Sequence, residues 1–162
     1  MAYTYSHFTY ALARSLKVLM DADPGTPTSR DTNRFIRDGN FLPNSPQHQL
    51  MLDLIYHPLP ELSFGLSSET LSEAYIDGSN AVYTDAVTGD KFGVQTPGYT
   101  LFNARVGYTM RMSGLSADVM LHAKNITDQK YVAFSEPDTG GNSYQPGTGR
   151  EFFVSLKVRF WN

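Results

Sequence analysis

There is no cysteine among the 162 residues. That excludes a disulfide framework, a cysteine-ligated zinc and a thiol nucleophile. Positive charge is not in excess either: thirteen Lys and Arg stand against sixteen Asp and Glu, a net charge of −3. A nucleic-acid partner, which needs a basic face, is not expected. No run approaches the roughly 20 apolar residues of a membrane-spanning helix. The start, "MAYTYSHFTYALARSL", lacks the basic head, apolar stretch and small-residue cleavage site of a secretory signal. If the protein is exported, its address lies on a longer parent chain. If it meets a membrane, it does so with strands. Low-complexity tracts and fixed-period repeats are also missing.

Constellations that carry chemistry are equally sparse. "DTGGNSYQPGTG" (Asp138–Gly149) is glycine-rich but has no Gly-Lys-Ser/Thr of a phosphate loop, so it reads as a flexible loop. "DADPG" (Asp21–Gly25) opens like a calcium loop, yet the twelfth position from Asp21 is Thr32 rather than Glu. His7, His48, His57 and His122 show no short metal-ligand spacing. Ser, His and Asp occur without a nucleophile elbow. "NIT" (Asn125–Thr127) matches a glycosylation sequon, but Asn125 and Asp128 read as residues that shape a strand end. No catalytic residue, metal site or cofactor is expected, and the chain does not read as an enzyme.

Aromatic residues are plentiful: ten Tyr, ten Phe and one Trp, within 41% apolar composition. Aromatic and β-branched residues favour strands, and apolar alternation marks six strand candidates. The first is Ala2–Leu12, where Tyr3 and Tyr5 are out of phase with Phe8 and Tyr10; a bulge near Ser6–His7 would reconcile them. The second, Gln47–Tyr56, sets Leu50, Leu52, Leu54 and Tyr56 against Gln49, Met51 and Asp53. The third begins at Leu62, with Leu62, Phe64 and Leu66 opposing Ser63, Gly65, Ser67 and Glu69. The fourth is Tyr99–Met112 and the fifth Leu115–Lys124. The sixth runs through "GREFFVSLKVRFWN", with Phe152, Val154, Leu156, Val158 and Phe160 on one side and Glu151, Ser155, Lys157 and Arg159 on the other. Phe153 and Trp161 break that pattern. The composition of Ala11–Met20 also admits a short helical turn within a loop.

The connections alternate in length. "HPLPE" and "MSG" are tight, whereas Arg14–Pro46, Ile76–Gly98 and Lys130–Gly149 are long. Structureless loops above about 15 residues are uncommon in compact domains. Short turns at one end and long loops at the other are the habit of an up-and-down barrel in an outer membrane. The expected fold is all-β, an antiparallel meander of about six strands. Alternation alone also fits a soluble β-sandwich, whose apolar face points into a core. Strand length, aromatics at strand ends (Tyr56, Tyr99, Phe102, Tyr108, Tyr131, Phe160, Trp161) and full charges on the polar face favour the membrane reading. The charged residues expected to face a watery lumen are Asp53, Glu69, Arg105, Arg111, Asp118, Lys124, Lys157 and Arg159.

A more specific signal is the order of motifs. "PGYTLFNARVGYTM" (Pro97–Met110) is followed by "LHAKNITDQKYV" (Leu121–Val132) and then by the terminal strand. This resembles the C-terminal end of TonB-dependent outer-membrane receptors, with their "PGYxxxNxRxxY", "NLFDxxY" and final "GRxxxxxLxxxF" strands. The matching positions are Pro97, Gly98, Tyr99, Asn103, Arg105 and Tyr108; Asn125, Asp128 and Tyr131; and Gly149, Arg150, Leu156 and Phe160. "GNFLPNSPQHQLMLDL" (Gly39–Leu54) is similar to the family's "GNxLPxxPxHxxxL" junction. The departures are Ile126-Thr127 where Leu-Phe is usual, and Asn162 after the final aromatic.

The resemblance implies the siderophore-receptor-like architecture, a barrel of about 22 strands around a plug. Residues 1–162 would then be the C-terminal portion of the barrel, as a fragment, a split chain or a truncated reading frame, with the plug domain absent. Six strands alone leave two open edges, which lipid does not tolerate. The implied function is active uptake of an iron–siderophore or similar scarce nutrient in a Gram-negative outer membrane. This segment would supply closing strands and extracellular loops and would not transport alone. Implied partners are outer-membrane lipid, the rest of the barrel and plug, the TonB energy-coupling protein acting through the plug, the barrel-assembly machinery and a ferric siderophore or similar ligand. Loop candidates for stacking on or pairing with an anionic chelate are Arg30, Arg34, Phe35, Arg37, Tyr83 and Tyr144. Val154, Leu156, Val158, Phe160 and Trp161 would face lipid and resemble the family's assembly signal. A soluble β-sheet binding module and a passive or oligomeric outer-membrane barrel remain as alternatives.

Overall fold

The computed structural model describes residues 1–12, 14–18, 32–80, 83–84, 91–92, 95–138 and 141–161. All regular elements among them are strands: β1 (Ala2–Tyr5), β2 (Arg14–Val18), β3 (Thr32–Ile36), β4 (His48–Leu59), β5 (Leu62–Leu71), β6 (Ala74–Tyr75), β7 (Tyr83–Thr84), β8 (Lys91–Phe92), β9 (Gln95–Thr96), β10 (Tyr99–Met112), β11 (Leu115–Lys124), β12 (Val132–Asp138), β13 (Gly141–Pro146) and β14 (Glu151–Phe160). No described helix is long and apolar enough to cross a membrane, which says nothing of crossing with strands.

Six of the strands form one antiparallel sheet in the order β1-β4-β5-β10-β11-β14. Every neighbour pair is sequential among these six, so the sheet is a meander. Registers align the apolar alternation from strand to strand. Tyr56, Phe64, Val106, Leu121 and Val154 form one row across β4, β5, β10, β11 and β14, and Leu54, Leu66, Ala104, Ala123 and Phe152 form the next. Because side chains alternate with a period of two, these rows share one face and the residues between them share the other. The expected phases of the second to sixth strands are those observed.

Two turns are tight. β4 and β5 are joined by Pro60-Glu61, and β10 and β11 by Ser113-Gly114, where Gly114 takes φ +74°. The β4–β5 ladder is irregular between Tyr56 and Leu59, where Pro58 has no N–H to offer. The three long connections all leave from the opposite end of the sheet.

These long loops carry more structure than expected. Arg14–Val18 pairs with Thr32–Ile36, Ala74–Tyr75 with Gln95–Thr96, Tyr83–Thr84 with Lys91–Phe92, and Val132–Asp138 with Gly141–Pro146. Within the glycine-rich stretch expected to be a flexible loop, Asp138 and Gly141–Pro146 are instead paired strand, and positions 139 and 140 lie outside the described residues. The turn of helix admitted for Ala11–Met20 is replaced by strand at Arg14–Val18; positions 13, 19 and 20 lie outside the described residues.

The first strand is shorter than expected. β1 stops at Tyr5, and the chain then pairs with the segment ahead of β4: the Ser6 N–H donates to the Gln47 carbonyl, Leu42 N–H to Phe8 O and Tyr10 N–H to Asn40 O. The switch of phase between Tyr5 and Phe8 marks this change of partner segment.

The sheet has no apolar core of its own. Val154 is 66% exposed and Phe160 80%, and Leu54, Tyr56, Leu121, Phe152 and Leu156 are similarly open. In a sandwich a second sheet would bury that face. The deepest burial lies instead at the loop end, around Ile76 and Ser135.

Candidate functional site

Two surfaces carry concentrated polar groups: the polar face of the sheet and the end where the loops converge. On the polar face, Asp53, Glu69, Arg105, Arg111, Asp118, Lys124, Lys157 and Arg159 all fall on the same side by register. Four of them form ion pairs. Arg105 Nη2 lies 3.1 and 3.0 Å from the two Asp53 carboxylate oxygens, and Arg159 Nη2 lies 3.2 Å from Asp118 Oδ2. Thr109 donates its hydroxyl to Asp118 at 2.8 Å. Arg159 and Asp118 sit on adjacent strands, where sheet geometry lets opposite charges meet, whereas Arg105 and Asp53 are two strands apart.

Arg105 reaches Asp53 by lying across β5. A Cβ built on Gly65 would fall 2.5 Å from Arg105 Cγ and Nε, so the glycine makes the passage possible. An open groove of about 430 Å³ runs alongside, lined by Met51, Asp53, Ser67, Glu69, Asn103 and Arg105 among others. Phe153, an aromatic ring on this face, stacks on His122 at 4.4 Å with the Lys124 ammonium 5.5 Å from its ring centre. The remaining histidines are dispersed: His48 shares a 2.8 Å hydrogen bond with the Tyr3 hydroxyl, and His7 meets the edge of Phe41. No cluster of three or more His, Asp or Glu suited to a metal ion occurs among the described residues.

At the loop end, asparagine organises the chain. Among the described residues, those other than glycine with positive φ are Asn44, Asn80, Asn125 and Asp128, the residue types that tolerate the left-handed region best. Asn80 exchanges two bonds with Phe41, accepting from its N–H at 2.5 Å and donating to its carbonyl at 2.9 Å. Asn40 donates to the carbonyls of Gly78 and Ser79 at 3.0 and 2.8 Å. Ser79 donates its N–H to Asp77 Oδ1 at 2.7 Å, and its hydroxyl donates to the same oxygen. Asn44 donates to Ser135 O at 2.9 Å, and the Ser135 hydroxyl shares a 2.6 Å bond with Thr96. None of these residues is singled out by a sequence motif for binding. The available signal was the run of Asn and Asp in the long connections, where left-handed turns are needed.

The third loop is anchored by the "NITDQKY" turn. Asn125 is only 3% exposed. Its amide donates to the Gln129 and Thr148 carbonyls, its Oδ1 accepts the Gln129 N–H, and its own N–H donates to Asn103 Oδ1. Every polar atom of that amide is engaged inside the turn, as expected of a structural residue. Asp128 accepts from Lys130 Nζ at 3.1 Å and from the Arg150 N–H at 3.0 Å. The Lys130 ammonium first, then the Arg150 amide, holds the Asp128 carboxyl below its ordinary value. Tyr131 sits between Tyr99, 4.4 Å away ring to ring, and Gly147, where a Cβ would collide with the Tyr131 ring.

The loop residues expected to touch ligand are spread over three hairpins. Arg34 and Phe35 lie on β3, opposite Leu16 and Ser15. Arg37 is exposed just beyond it. Tyr83 lies on β7 opposite Phe92. Tyr144 is exposed on β13, opposite Ser135, and its hydroxyl accepts from the Asn142 amide at 3.1 Å. Arg30 and the Asp21–Gly25 stretch lie outside the described residues. Of the terminal set, Val154, Leu156, Val158 and Phe160 line the exposed apolar face of β14, and the Trp161 N–H donates to Gly114 O at 3.1 Å.

Comparison with known proteins turns this geometry into a family. The family model described as TonB dependent receptor-like, beta-barrel, matches residues 1–126. The chain belongs to that family. Over 101 residues it is 29% identical to the probable TonB-dependent siderophore receptor PiuA of Acinetobacter baumannii, covering 62% of this chain and 11% of PiuA. The crystal structure of the unliganded ferric citrate transporter FecA superposes with a TM-score of 0.61 at 27% identity, over 75% of this chain and 17% of FecA. The PiuA crystal structure gives a TM-score of 0.60 at 22% identity, over 84% of this chain and 16% of PiuA, a likeness of fold. The chain thus spans about a ninth of the PiuA sequence it matches, and its sheet corresponds to part of the wall of such barrels. Members of the TonB-dependent receptor family are outer-membrane β-barrels of Gram-negative bacteria, and receptors rather than enzymes as a class.

Proposed function

We propose that this chain provides six consecutive wall strands and three extracellular loops of a TonB-dependent receptor that takes up a ferric siderophore or a similar scarce nutrient. Residues 1–162 would form the C-terminal portion of the barrel, with the plug and the remaining strands supplied by other residues of the same receptor. Energy coupling through TonB belongs to that larger assembly, and the segment does not transport alone or catalyse a reaction.

One observation carries this reading: a single sheet holds an exposed apolar face, an ion-paired polar face, and all three long loops at one end. In a membrane, the apolar rows from Leu54 to Phe160 meet lipid, while Asp53, Glu69, Arg105, Arg111, Asp118, Lys124, Lys157 and Arg159 face the lumen and the plug. Each edge strand then pairs with a further strand, since unpaired edges are not stable in hydrocarbon. Val154, Leu156, Val158, Phe160 and Trp161 serve as the lipid-facing strand read by the barrel-assembly machinery. The long loops face outward, and Arg30, Arg34, Phe35, Arg37, Tyr83 and Tyr144 supply cations and aromatic rings to an anionic chelate.

The test is the native polypeptide. Outer membranes of the source organism, grown iron-rich and iron-poor, are blotted with an antibody against the 138–149 loop. A heat-modifiable band several times the 18.1 kDa of this chain, rising under iron starvation, is expected. A soluble band at the mass of this chain overturns the reading. A membrane band at that mass replaces it with a split or oligomeric barrel.

A further inference from the structure

We infer that the described bases of the three long loops form one rigid wall keyed at Ser135, so that each base's setting is fixed by the other two. The geometry of the wall is independent of any ligand; its bearing on uptake rests on the proposed receptor function.

The loops start far apart. The first joins β1 to β4, the second β5 to β10, the third β11 to β14. With strands about 4.8 Å apart, β4 and β11 are separated by roughly 14 Å of sheet. Strand pairing alone does not bring their loops together. Yet Asn44 of the first loop clamps the backbone of Ser135 in the third: its amide donates to Ser135 O at 2.9 Å, and its Oδ1 accepts the Ser135 N–H at 3.4 Å. The Ser135 hydroxyl shares its 2.6 Å bond with Thr96 of the second. The first and second loops are joined directly as well. The Asn44 N–H donates to Tyr75 O at 2.8 Å, Phe41 stacks on Tyr75 at 5.7 Å, and Asn40 and Asn80 add their amide bonds.

Ser135 is completely buried, and Thr96 nearly so. Hydrogen bonds closed off from water are costly to leave unmade. Ser135 thus uses its backbone for one loop and its hydroxyl for another. The consequence reaches the ligand-facing residues. Tyr144 is the cross-strand partner of Ser135, and Arg37 lies at the end of the segment that leads to Asn40 and Asn44. A loosened junction would move both.

The division of labour makes the wall testable by amide hydrogen exchange on the native receptor in detergent, without ligand. Asn44→Ala should speed exchange about tenfold in all three loops, at 40–47, 74–80 and 132–136. Ser135→Ala keeps both backbone bonds and loses only the hydroxyl. It should loosen 95–98 and 132–136 and leave 40–47 unchanged. Thr96→Val should reproduce that pattern, and Thr96→Ser, which keeps a hydroxyl, should not. Faster exchange confined to the loop that carries each substitution would overturn the inference. Because no ligand is present, that failure is separate from a failure of the uptake reading, which the iron-responsive band tests.

Discussion

Arg105 crosses over Gly65 to place one guanidinium nitrogen against both carboxylate oxygens of Asp53, two strands away. The absence of a side chain on the intervening strand is what permits the pair. Gly65→Ala should therefore push Arg105 off its path and break the contact with Asp53. The side chains are 31% and 50% exposed, so solvent screening limits the pair to about 1 kcal/mol or less. The sharper expectation is non-additivity. Asp53→Asn should cost measurably in the native background and nearly nothing beside Gly65→Ala, as read by a double-mutant cycle on barrel unfolding in urea. Equal costs in both backgrounds would show that Gly65 has no part in the pair.

Asn125 is expected to be one of the most sensitive positions in the chain. It combines burial, a φ of 46° and a side-chain amide fully engaged with Gln129 and Thr148. Asn125→Ala removes three hydrogen bonds, leaves carbonyls without donors and retains a left-handed backbone that alanine dislikes. A loss of about 2–4 kcal/mol is expected from these mechanisms together. Thr127→Ala, at an exposed position of the same sequon, should cost under about 0.5 kcal/mol. Comparable losses at both positions, measured by the same unfolding assay, would contradict the structural role given to Asn125.

What was legible in the sequence divides by range. The alternation of Tyr99–Met112 and Leu115–Lys124 gives strand bounds and faces directly, because the period of two is a local property and the Ser113-Gly114 turn is short. The Ala2–Leu12 strand was overextended, because the pairing of Phe8 and Tyr10 with residues 40–42 lies in the tertiary structure. The small hairpins in the loops were missed: two-residue ladders such as Tyr83–Thr84 with Lys91–Phe92 are too short to show alternation. Asn44, Thr96 and Ser135 carry no mutual spacing that points to a junction. Their types suggest turns and hydroxyl bonding, but their partners are 39 to 91 residues away.

The Asp128 turn has a defined response to acid. Its folded carboxyl is held below the ordinary value of 3.8, first by Lys130 and then by the Arg150 amide. A depressed pKa means the folded state favours the ionised form, so the contribution is fully present above the unfolded value. It is lost as pH falls below about 3.8 and through the lower folded value. Exchange protection of the Arg150 amide should fall over that window while the β10–β11 ladder is unchanged. In Asp128→Asn, the fall should disappear. A fall of the same size in that variant would assign the acid response to another group.

The two faces of β14 make opposite predictions for neighbouring residues. Leu156 pairs with Val119 in the apolar rows and is 65% exposed; Lys157 pairs with Asp118 on the other face. In water alone, neither substitution at these open positions would matter greatly. In a bilayer, Leu156→Arg puts a charge near the middle of a ten-residue spanning strand and should cost about 2–4 kcal/mol of barrel stability. On the face proposed to meet a watery lumen, Lys157→Gln keeps a polar side chain and should cost under about 1 kcal/mol. Folding the receptor variants into phospholipid vesicles and titrating with urea separates the two. If Lys157→Gln proves the costlier change, the faces are inverted, and the row from Tyr56 to Val154 points away from lipid.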